Sequence, residues 1–252
     1  MKLVKFGGSS LASGETFQKV KDIITSDPAR KIVVVSAPGK RFSTDNKVTD
    51  LLYICHAHIR YKVGYDDVWE NIATRYREIA ETCKLSIDVE EMLRTVREGM
   101  TRKSTIDDIV SRGEYMNARL MADYLGYDFV DATEWLHFNY DGTVDFEKTY
   151  EDLHCLALKH EKMVIPGFYG TLPNGQLHVF SRGGSDVTGA LASAALGVEC
   201  YENWTDVSGI LMADPRIVDN PRSIPTITYS ELRELAFMGA SVLHEESIQP
   251  VK

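Results

Sequence analysis

Short runs of β-branched residues alternate with long amphipathic stretches along this chain of 252 residues. Positions 3–6 and the run KIVVVSA at 31–37 have the composition of buried strands, and between them Phe17, Val20 and Ile24 form a helical stripe. A strand, a helix and a second strand in this order predict a parallel sheet covered by helices. Hydrophobic residues make up 44% of the chain, which is enough for the core that such a sheet needs. We therefore expect an α/β fold, either as one large domain or as two lobes that share a sheet.

Later segments extend the same pattern. Apolar residues recur with a period of about 3.6 over 68–83 and again over 89–96, which predicts two helices. A stripe over 106–124 predicts one further helix that leads into a strand at 127–132. The turn sequence Pro-Asn-Gly at 173–175 predicts a β-hairpin.

Charge and cysteine content exclude several classes of protein. The 28 basic and 37 acidic side chains give a net charge of −9, so the chain lacks the basic footprint of a nucleic-acid-binding protein. No apolar run is long enough to span a membrane, and the start MKLVKFGG is not a secretory signal. The four cysteines follow no CxxC spacing, so they predict reduced thiols in the cytoplasm and no metal site.

Two glycine-containing loops follow predicted strands and are candidates for anion binding. In KFGGSS at 5–10, two glycines allow backbone N–H groups to approach phosphate oxygens, and Lys5 adds a positive charge. This loop matches neither the P-loop nor the dinucleotide-binding pattern, and a plain strand-to-turn glycine pair is the alternative. SRGGSD at 181–186 leads into a helix of small residues, which places its amides and Arg182 at a helix N-terminus.

Two further segments combine charge with a position beside a predicted strand or helix. Thr205 and Asp206 follow a short strand, with Arg216 further along, at the edge where open α/β sheets bind ligands; a polar loop is the alternative. In RGE at 112–114, a glycine inside a predicted helix costs about 1 kcal/mol relative to alanine, so we expect another part of the protein to approach it closely. By itself, Glu114 is more simply explained as a solvated charge.

Together these segments resemble the aspartate kinase family. KFGGSS, VSAPG, RGE, FSRGGSD and TDVSGILMADPR occur in the family's order, and GASVLH at 239–244 extends the match. The resemblance implies the amino-acid kinase fold, a three-layer α/β/α sandwich with a mainly parallel central sheet. It also implies one amino-acid kinase domain over 1–252, with an acceptor-binding part at about 1–170 and an ATP-binding part at about 171–252.

The resemblance further implies a reaction. The γ-phosphoryl group of ATP would move to the β-carboxylate of L-aspartate, giving 4-phospho-L-aspartate, the entry step to lysine, threonine and methionine. Mg-ATP and L-aspartate are the implied ligands, Mg²⁺ being held largely by phosphates and water, and a homodimer or higher homo-oligomer is the implied assembly. Because a carboxylate of pKa about 3.9 is already ionised at pH 7, the attack needs no general base, and no catalytic histidine or cysteine is required.

Catalytic and phosphate-contacting residues follow from matching the motifs position by position. Lys5 matches the family lysine that contacts the transferred phosphoryl group, and Asp186 matches an aspartate that orients Lys5 or the substrate. The backbone turn after the first strand matches the family's phosphate contacts, at Gly7, Gly8 and Ser9.

Ligand-binding residues are matched in the same way. Glu114 is expected to meet the ammonium group of aspartate, and Arg182 to bind a carboxylate with two parallel hydrogen bonds. The aspartate-binding positions are Thr49, Glu114, Arg182 and Ser185, and the nucleotide-binding positions are Thr205, Asp206 and Arg216.

The chain departs from the family pattern at a few places. Ser241 stands where a lysine is common, and Leu211 stands where an aromatic residue is frequent. The chain ends at Lys252, before the family's last kinase segment and paired ACT regulatory domains. From this we expect a C-terminally truncated kinase region that is a poor catalyst alone and is not inhibited by lysine or threonine. A related kinase with another acceptor and an inactive ligand-binding or dimerising fragment are the alternatives.

Overall fold

The computed structural model describes residues 1–181, 183–206, 209–213 and 217–237. The strands within these residues are β1 (Lys2–Phe6), β2 (Arg30–Val35), β3 (Asp128–Phe129), β4 (Met163–Pro166), β5 (Tyr169–Thr171), β6 (Leu177–Val179) and β7 (Cys200–Trp204). The α-helices are α1 (Gly14–Thr25), α2 (Val48–Tyr61), α3 (Asp66–Cys83), α4 (Val89–Gly99), α5 (Ile106–Val110), α6 (Arg112–Leu125), α7 (Phe146–Ala157), α8 (Gly184–Leu196) and α9 (Tyr229–Phe237). Two short 3-10 helices span Gly8–Leu11 and Ala132–Glu134.

Five strands form one parallel sheet in the order β3-β4-β2-β1-β7. In this register Lys5 of β1 lies opposite Val34 of β2 on one side and opposite Asn203 of β7 on the other. Strands β5 and β6 pair separately as an antiparallel hairpin. Gly175 has φ +81° in its turn, so the predicted hairpin is confirmed.

Alternating side chains of the sheet pack into two hydrophobic cores on its opposite faces. Val33 and Val35 of β2 pack into a core that includes buried residues of α1, α2, α3, α4 and α6. Ile32 and Val34 of the same strand pack into a second core with residues of α7 and α8. Because strand side chains point alternately to opposite faces, one apolar run serves both layers. The expected three-layer α/β/α sandwich with a mainly parallel sheet is confirmed.

The helix predicted over 106–124 is two helices in the structure. Thr105 begins α5 with a capping box, and Ser111 both ends α5 and accepts, through its carbonyl oxygen, the first α6 hydrogen bond from Tyr115. The break places RGE in the first turn of α6 and not in a helix interior. The predicted strand at 127–132 is shorter than expected, since only Asp128–Phe129 pairs with β4.

Helix α8 has the ends that its glycines predict. Gly183 and Gly197 flank it with φ of 57° and 55°, the left-handed region that glycine adopts without strain. In the part of the chain that the structure describes, no helix is both long and apolar enough to cross a membrane.

Candidate functional site

The carboxyl ends of four parallel strands meet at one edge of the sheet. Gly7 follows β1, Ser36 follows β2, Gly167 follows β4 and Thr205 follows β7. Open α/β sheets bind their ligands at this edge. The KFGGSS and VSAPG segments and Thr205 therefore meet at this edge.

Two glycines bring the KFGGSS and VSAPG loops into backbone contact. The Gly39 N–H donates to the Gly8 carbonyl oxygen at 2.7 Å. A Cβ atom added to Gly39 would lie 2.6 Å from the Gly8 carbonyl carbon, and one added to Gly8 would lie 2.8 Å from the Ala37 carbonyl oxygen. Only glycine fits at either position without moving backbone atoms. Gly8 and Gly39 are therefore required for the contact between the two loops.

A cavity of about 490 Å³ opens beside this contact. It collects predicted site residues from four separate segments, which are Gly8, Ser9, Thr49, Glu114 and Asp206. Thr49 lies in the first turn of α2. We did not predict this helix from the sequence, although its buried residues follow a helical period, at Val48, Leu51, Leu52, Cys55 and Ile59.

Glu114 is a buried acid in the wall of this cavity. Its residue is only 5% exposed, so the alternative of a solvated charge is wrong. Burial raises the pKa of the Glu114 carboxyl to about 8, against the lowering effect of the Ala37 and Glu114 backbone amides and the Arg112 charge. Its Oε2 atom is buried and has no hydrogen-bond partner among the described residues. A buried carboxyl with an unused oxygen in a cavity is suited to a cationic ligand group.

The glycine beside Glu114 explains the position of α6. A Cβ atom added to Gly113 would lie 2.9 Å from the Ala37 Cβ atom and 3.3 Å from Leu52 Cδ1. The close approach predicted for this glycine is confirmed. It brings the start of α6 against the segment after β2, and so places Glu114 in the cavity wall.

Lys5 and Asp186 form an ion pair at the same edge. Lys5 Nζ lies 2.7 Å from Asp186 Oδ1, and the Lys5 side chain is 8% exposed. Asn203 Nδ2 donates to the same oxygen at 2.9 Å. Sequence reasoning did not single out Asn203; its position opposite Lys5 in the parallel register is the signal that marks it.

Ser185 lies in the first turn of α8, against the end of β4. A Cβ atom added to Gly167 would lie 2.6 Å from Ser185 Oγ, so the helix start and the strand end are in close contact. The next residue, Phe168, has φ +83°, and its N–H donates to Thr188 Oγ1 at 3.0 Å. Backbone strain at a non-glycine residue beside a ligand-binding edge is typical of functional sites. The sequence carries no signal for it.

Thr205 and Asp206 are exposed at the end of β7, and Thr205 Oγ1 donates to Asp206 Oδ1 at 3.1 Å. Asp206 and Ser9 also line a second cavity of about 340 Å³ together with Thr205. Arg182, Arg216 and Ser241 lie outside the described residues. Within the described ranges, no three His, Cys, Asp or Glu side chains gather in a way that could hold a metal ion.

A separate cavity of about 770 Å³ lies between the β5–β6 hairpin and the segment before α7. Its wall is aromatic and includes Phe138, Tyr140, Phe146, His178 and Phe180. None of the predicted site residues that the structure describes lines it.

Known proteins resemble this chain over its whole length. A family model, that of the amino acid kinase family, matches residues 1–252. Aspartokinase 3 of Bacillus subtilis (strain 168) is 39% identical over 265 residues, which cover 99% of this chain and 58% of that protein.

Solved structures show the same likeness. The aspartate kinase of Clostridium acetobutylicum has a TM-score of 0.95 and 50% identity, covering 100% of this chain and 58% of that chain. E. coli aspartokinase III, in complex with aspartate and ADP, has a TM-score of 0.85 and 26% identity, covering 99% of this chain and 59% of that chain. The present chain thus spans less than two thirds of the length of these relatives, and the predicted resemblance to aspartate kinases is confirmed.

Proposed function

The chain belongs to the amino acid kinase family, and from this premise we propose that it transfers the γ-phosphoryl group of ATP to the β-carboxylate of L-aspartate. The observation that supports this most is the buried Glu114 carboxyl, whose Oε2 atom has no hydrogen-bond partner among the described residues, in the cavity that also contains the Gly8 and Ser9 turn. One cavity thus combines a partner for an ammonium group with a backbone turn suited to phosphate.

Aspartate would bind through its ammonium group to Glu114. A carboxyl with a pKa of about 8 is kept mostly protonated at neutral pH by burial, and a cationic ligand group beside it favours the ionised form. Thr49 is half-buried in the same wall and offers a hydroxyl group to a carboxylate of the ligand. Ser185 and Arg182, matched to aspartate positions by motif, stay part of this proposal.

The nucleotide would place its phosphates at the turn after β1. Within the described structure, the Gly8 and Ser9 amides donate to no other group, so they are available to phosphate oxygens. Gly7 is part of the same turn, and Lys5 Nζ would lie 3.7 Å from a Cβ atom added to Gly7. Thr205, Asp206 and Arg216 are the proposed nucleotide contacts, and Mg²⁺ would accompany the phosphates, held mainly by them and by water.

In the reaction, a β-carboxylate oxygen of aspartate attacks the γ-phosphorus while the bond from phosphorus to the ADP oxygen breaks. No proton has to be removed from the nucleophile, because the carboxylate is ionised at pH 7. The protein's task is to align two anions and to stabilise the charge of a loose transition state. Lys5, paired with an Asp186 carboxylate that Asn203 also binds, is the described side chain best placed to act on the moving phosphoryl group.

We test the acceptor by trapping the acyl phosphate with hydroxylamine and by titration calorimetry. Mg-ATP with aspartate should give hydroxamate, and aspartate should bind more tightly than glutamate or UMP. Faster turnover of glutamate or UMP would assign the chain to a related kinase with another acceptor. Binding of aspartate and nucleotide without any hydroxamate would support the ligand-binding alternative.

The cellular setting is part of the same proposal. The cysteines Cys55, Cys83, Cys155 and Cys200 are all free thiols, which fits the reducing cytoplasm expected for a biosynthetic enzyme. A homodimer or higher homo-oligomer is proposed from the family resemblance alone. Light scattering coupled to size-exclusion chromatography tests it directly.

A further inference from the structure

Two lysines in the loop between β2 and α2 line the cavity of Glu114. Lys40 follows the Gly39 that contacts Gly8, and Lys47 directly precedes α2. Both residues are exposed, and neither side chain makes an ion pair or hydrogen bond with a residue that the structure describes. Two lysines without a partner among the described residues therefore line a cavity that the proposed reaction fills with anions.

The loop that carries these lysines is anchored from α3. Arg75 is 2% exposed and donates to the Gly39 carbonyl oxygen at 2.7 Å and to Asp45 Oδ2 at 2.6 Å. Arg41 Nε donates to the same Asp45 oxygen at 2.9 Å, and its Nη1 donates to Glu78 at 2.8 Å. Both arginines of this cluster are thus already paired, whereas the two lysine side chains have no partner within the described ranges.

Asp45 is held as an anion in this cluster. Burial raises the pKa of its carboxyl, but hydrogen bonds from the Arg41 side chain and backbone and the Arg75 charge outweigh burial, so the pKa lies well below its ordinary value. Asp45 therefore stays ionised across the neutral range. A loop fixed at Gly39 and Asp45 presents Lys40 and Lys47 to the cavity without further ordering.

The site also needs this charge. A γ-phosphoryl group and the acceptor carboxylate must approach each other, and their repulsion has to be offset by cations. Lys5 is already paired with Asp186 at 2.7 Å. Asp206 adds a further negative charge to the cavity wall.

We infer that Lys40 binds the transferred phosphoryl group and that Lys47 binds a carboxylate of the acceptor, with Arg75 and Asp45 as positioning residues. We assign the two roles from the segments that each lysine adjoins in the chain. Lys40 follows the glycine that contacts the Gly8 turn, on the phosphate side, and Lys47 precedes the helix that carries Thr49, on the acceptor side. The N-terminus of α2 adds its partial positive charge beside Lys47. This inference rests on the proposed function.

Titration calorimetry on the whole chain tests the inference without requiring turnover. Lys47→Gln should weaken aspartate binding by about tenfold to a hundredfold and leave the affinity for a non-hydrolysable Mg-ATP analogue unchanged. Lys40→Gln should show the reverse pattern. Lys40→Arg and Lys47→Arg keep the charge and should restore most of the affinity. The matched control is Lys159→Gln, which removes one exposed lysine outside this cavity.

Asp45→Asn tests the anchoring. It removes the charge that both arginines bind, so it should weaken the binding of aspartate and of the Mg-ATP analogue together, and not the binding of only one of them. Unchanged affinities in both lysine variants, or the same loss in Lys159→Gln, would overturn the inference. A different result would contradict the proposed function itself. In that case the wild-type chain would bind nucleotide but would show no preference for aspartate over glutamate or UMP.

Discussion

Lys5 Nζ lies 2.7 Å from Asp186 Oδ1, so an ion pair joins a central strand of the sheet to the first turn of α8. Asn203 donates to the same carboxylate oxygen from the neighbouring strand. The lysine is therefore held in place before any ligand arrives. A preorganised charge contributes more to the rate than to ground-state binding, because nothing has to move when the transition state forms.

Lys5→Ala should lower kcat by about 10² to 10³ and change the affinity for aspartate much less. Steady-state rates at saturating Mg-ATP, with aspartate affinity measured by calorimetry, separate the two effects. Lys2→Ala is the matched control, because Lys2 lies in the same strand and is also paired with an acid, Asp27, at 2.9 Å. If Lys5→Ala turned over at the wild-type rate, KFGGSS would be a structural turn without a catalytic role.

Glu114→Ala should raise the KM for aspartate by about tenfold or more, with little effect on the KM for ATP. An ammonium–carboxylate contact is present in the ground state and the transition state alike, so its loss weakens binding of the acceptor. Initial rates over a matrix of both substrates measure this, with the exposed Glu147→Ala as the control. If the variant affects ATP and not aspartate, Glu114 does not belong to the acceptor side.

Much of this arrangement was predictable, and the rest depends on tertiary contacts. The spacing of apolar residues and the runs of β-branched residues predicted the parallel sheet. A continuous apolar run such as 31–37 is typical of a strand that is buried on both faces, because its side chains must fill two cores. The same reasoning left Glu114 as a solvated charge, because its burial arises from α6 starting at Arg112 and packing on Ala37. Only the family motif predicted a binding role for Glu114, and the structure places it in a cavity wall.

The loop before α2 shows the same limit. Nothing in its composition marks Lys40 and Lys47 as cavity residues, since their position follows from a hydrogen bond between Arg75 and Gly39 across the fold. Lys5 and Asp186 are also far apart along the chain, so a hydrophobic pattern cannot predict that they form an ion pair. Local periodicity finds elements, whereas a site is built from contacts between them.

Gly39→Ala should destabilise the protein by about 1 to 3 kcal/mol and raise the KM for ATP. The added Cβ atom would lie 2.6 Å from the Gly8 carbonyl carbon and 2.8 Å from the Ser9 nitrogen, so the phosphate turn must shift. Urea unfolding gives the first quantity and initial rates give the second. The control is Gly64→Ala, where nothing lies within 4 Å of the added atom and stability should hardly change.

Glu114 should also make stability depend on pH. Its pKa is about 8 in the folded protein against an ordinary value of 4.5, so the folded state binds more protons than the unfolded state between those values. The free energy of unfolding contributed by this group therefore falls as pH rises through that window. Glu114→Gln removes this dependence, so the variant should gain in Tm relative to the wild type as pH rises from about 5 to about 8. A Tm difference that stays constant across this range would contradict the burial argument.

The last prediction joins the same titration to ligand binding. At pH 7, a group of pKa about 8 is about 0.9 protonated in the free protein, and the ammonium group of aspartate favours its ionised form. Binding of aspartate should therefore release close to one proton, and the affinity should rise by nearly tenfold as pH rises from about 6 to about 7.

Calorimetry in buffers of different ionisation enthalpy measures the released proton directly. A nucleotide titration is the control, because it leaves Glu114 without a cation. Glu114→Gln should bind aspartate weakly, without proton release and without this pH slope. Proton uptake in the wild type, or equal release in the Gln variant, would assign the titrating group elsewhere.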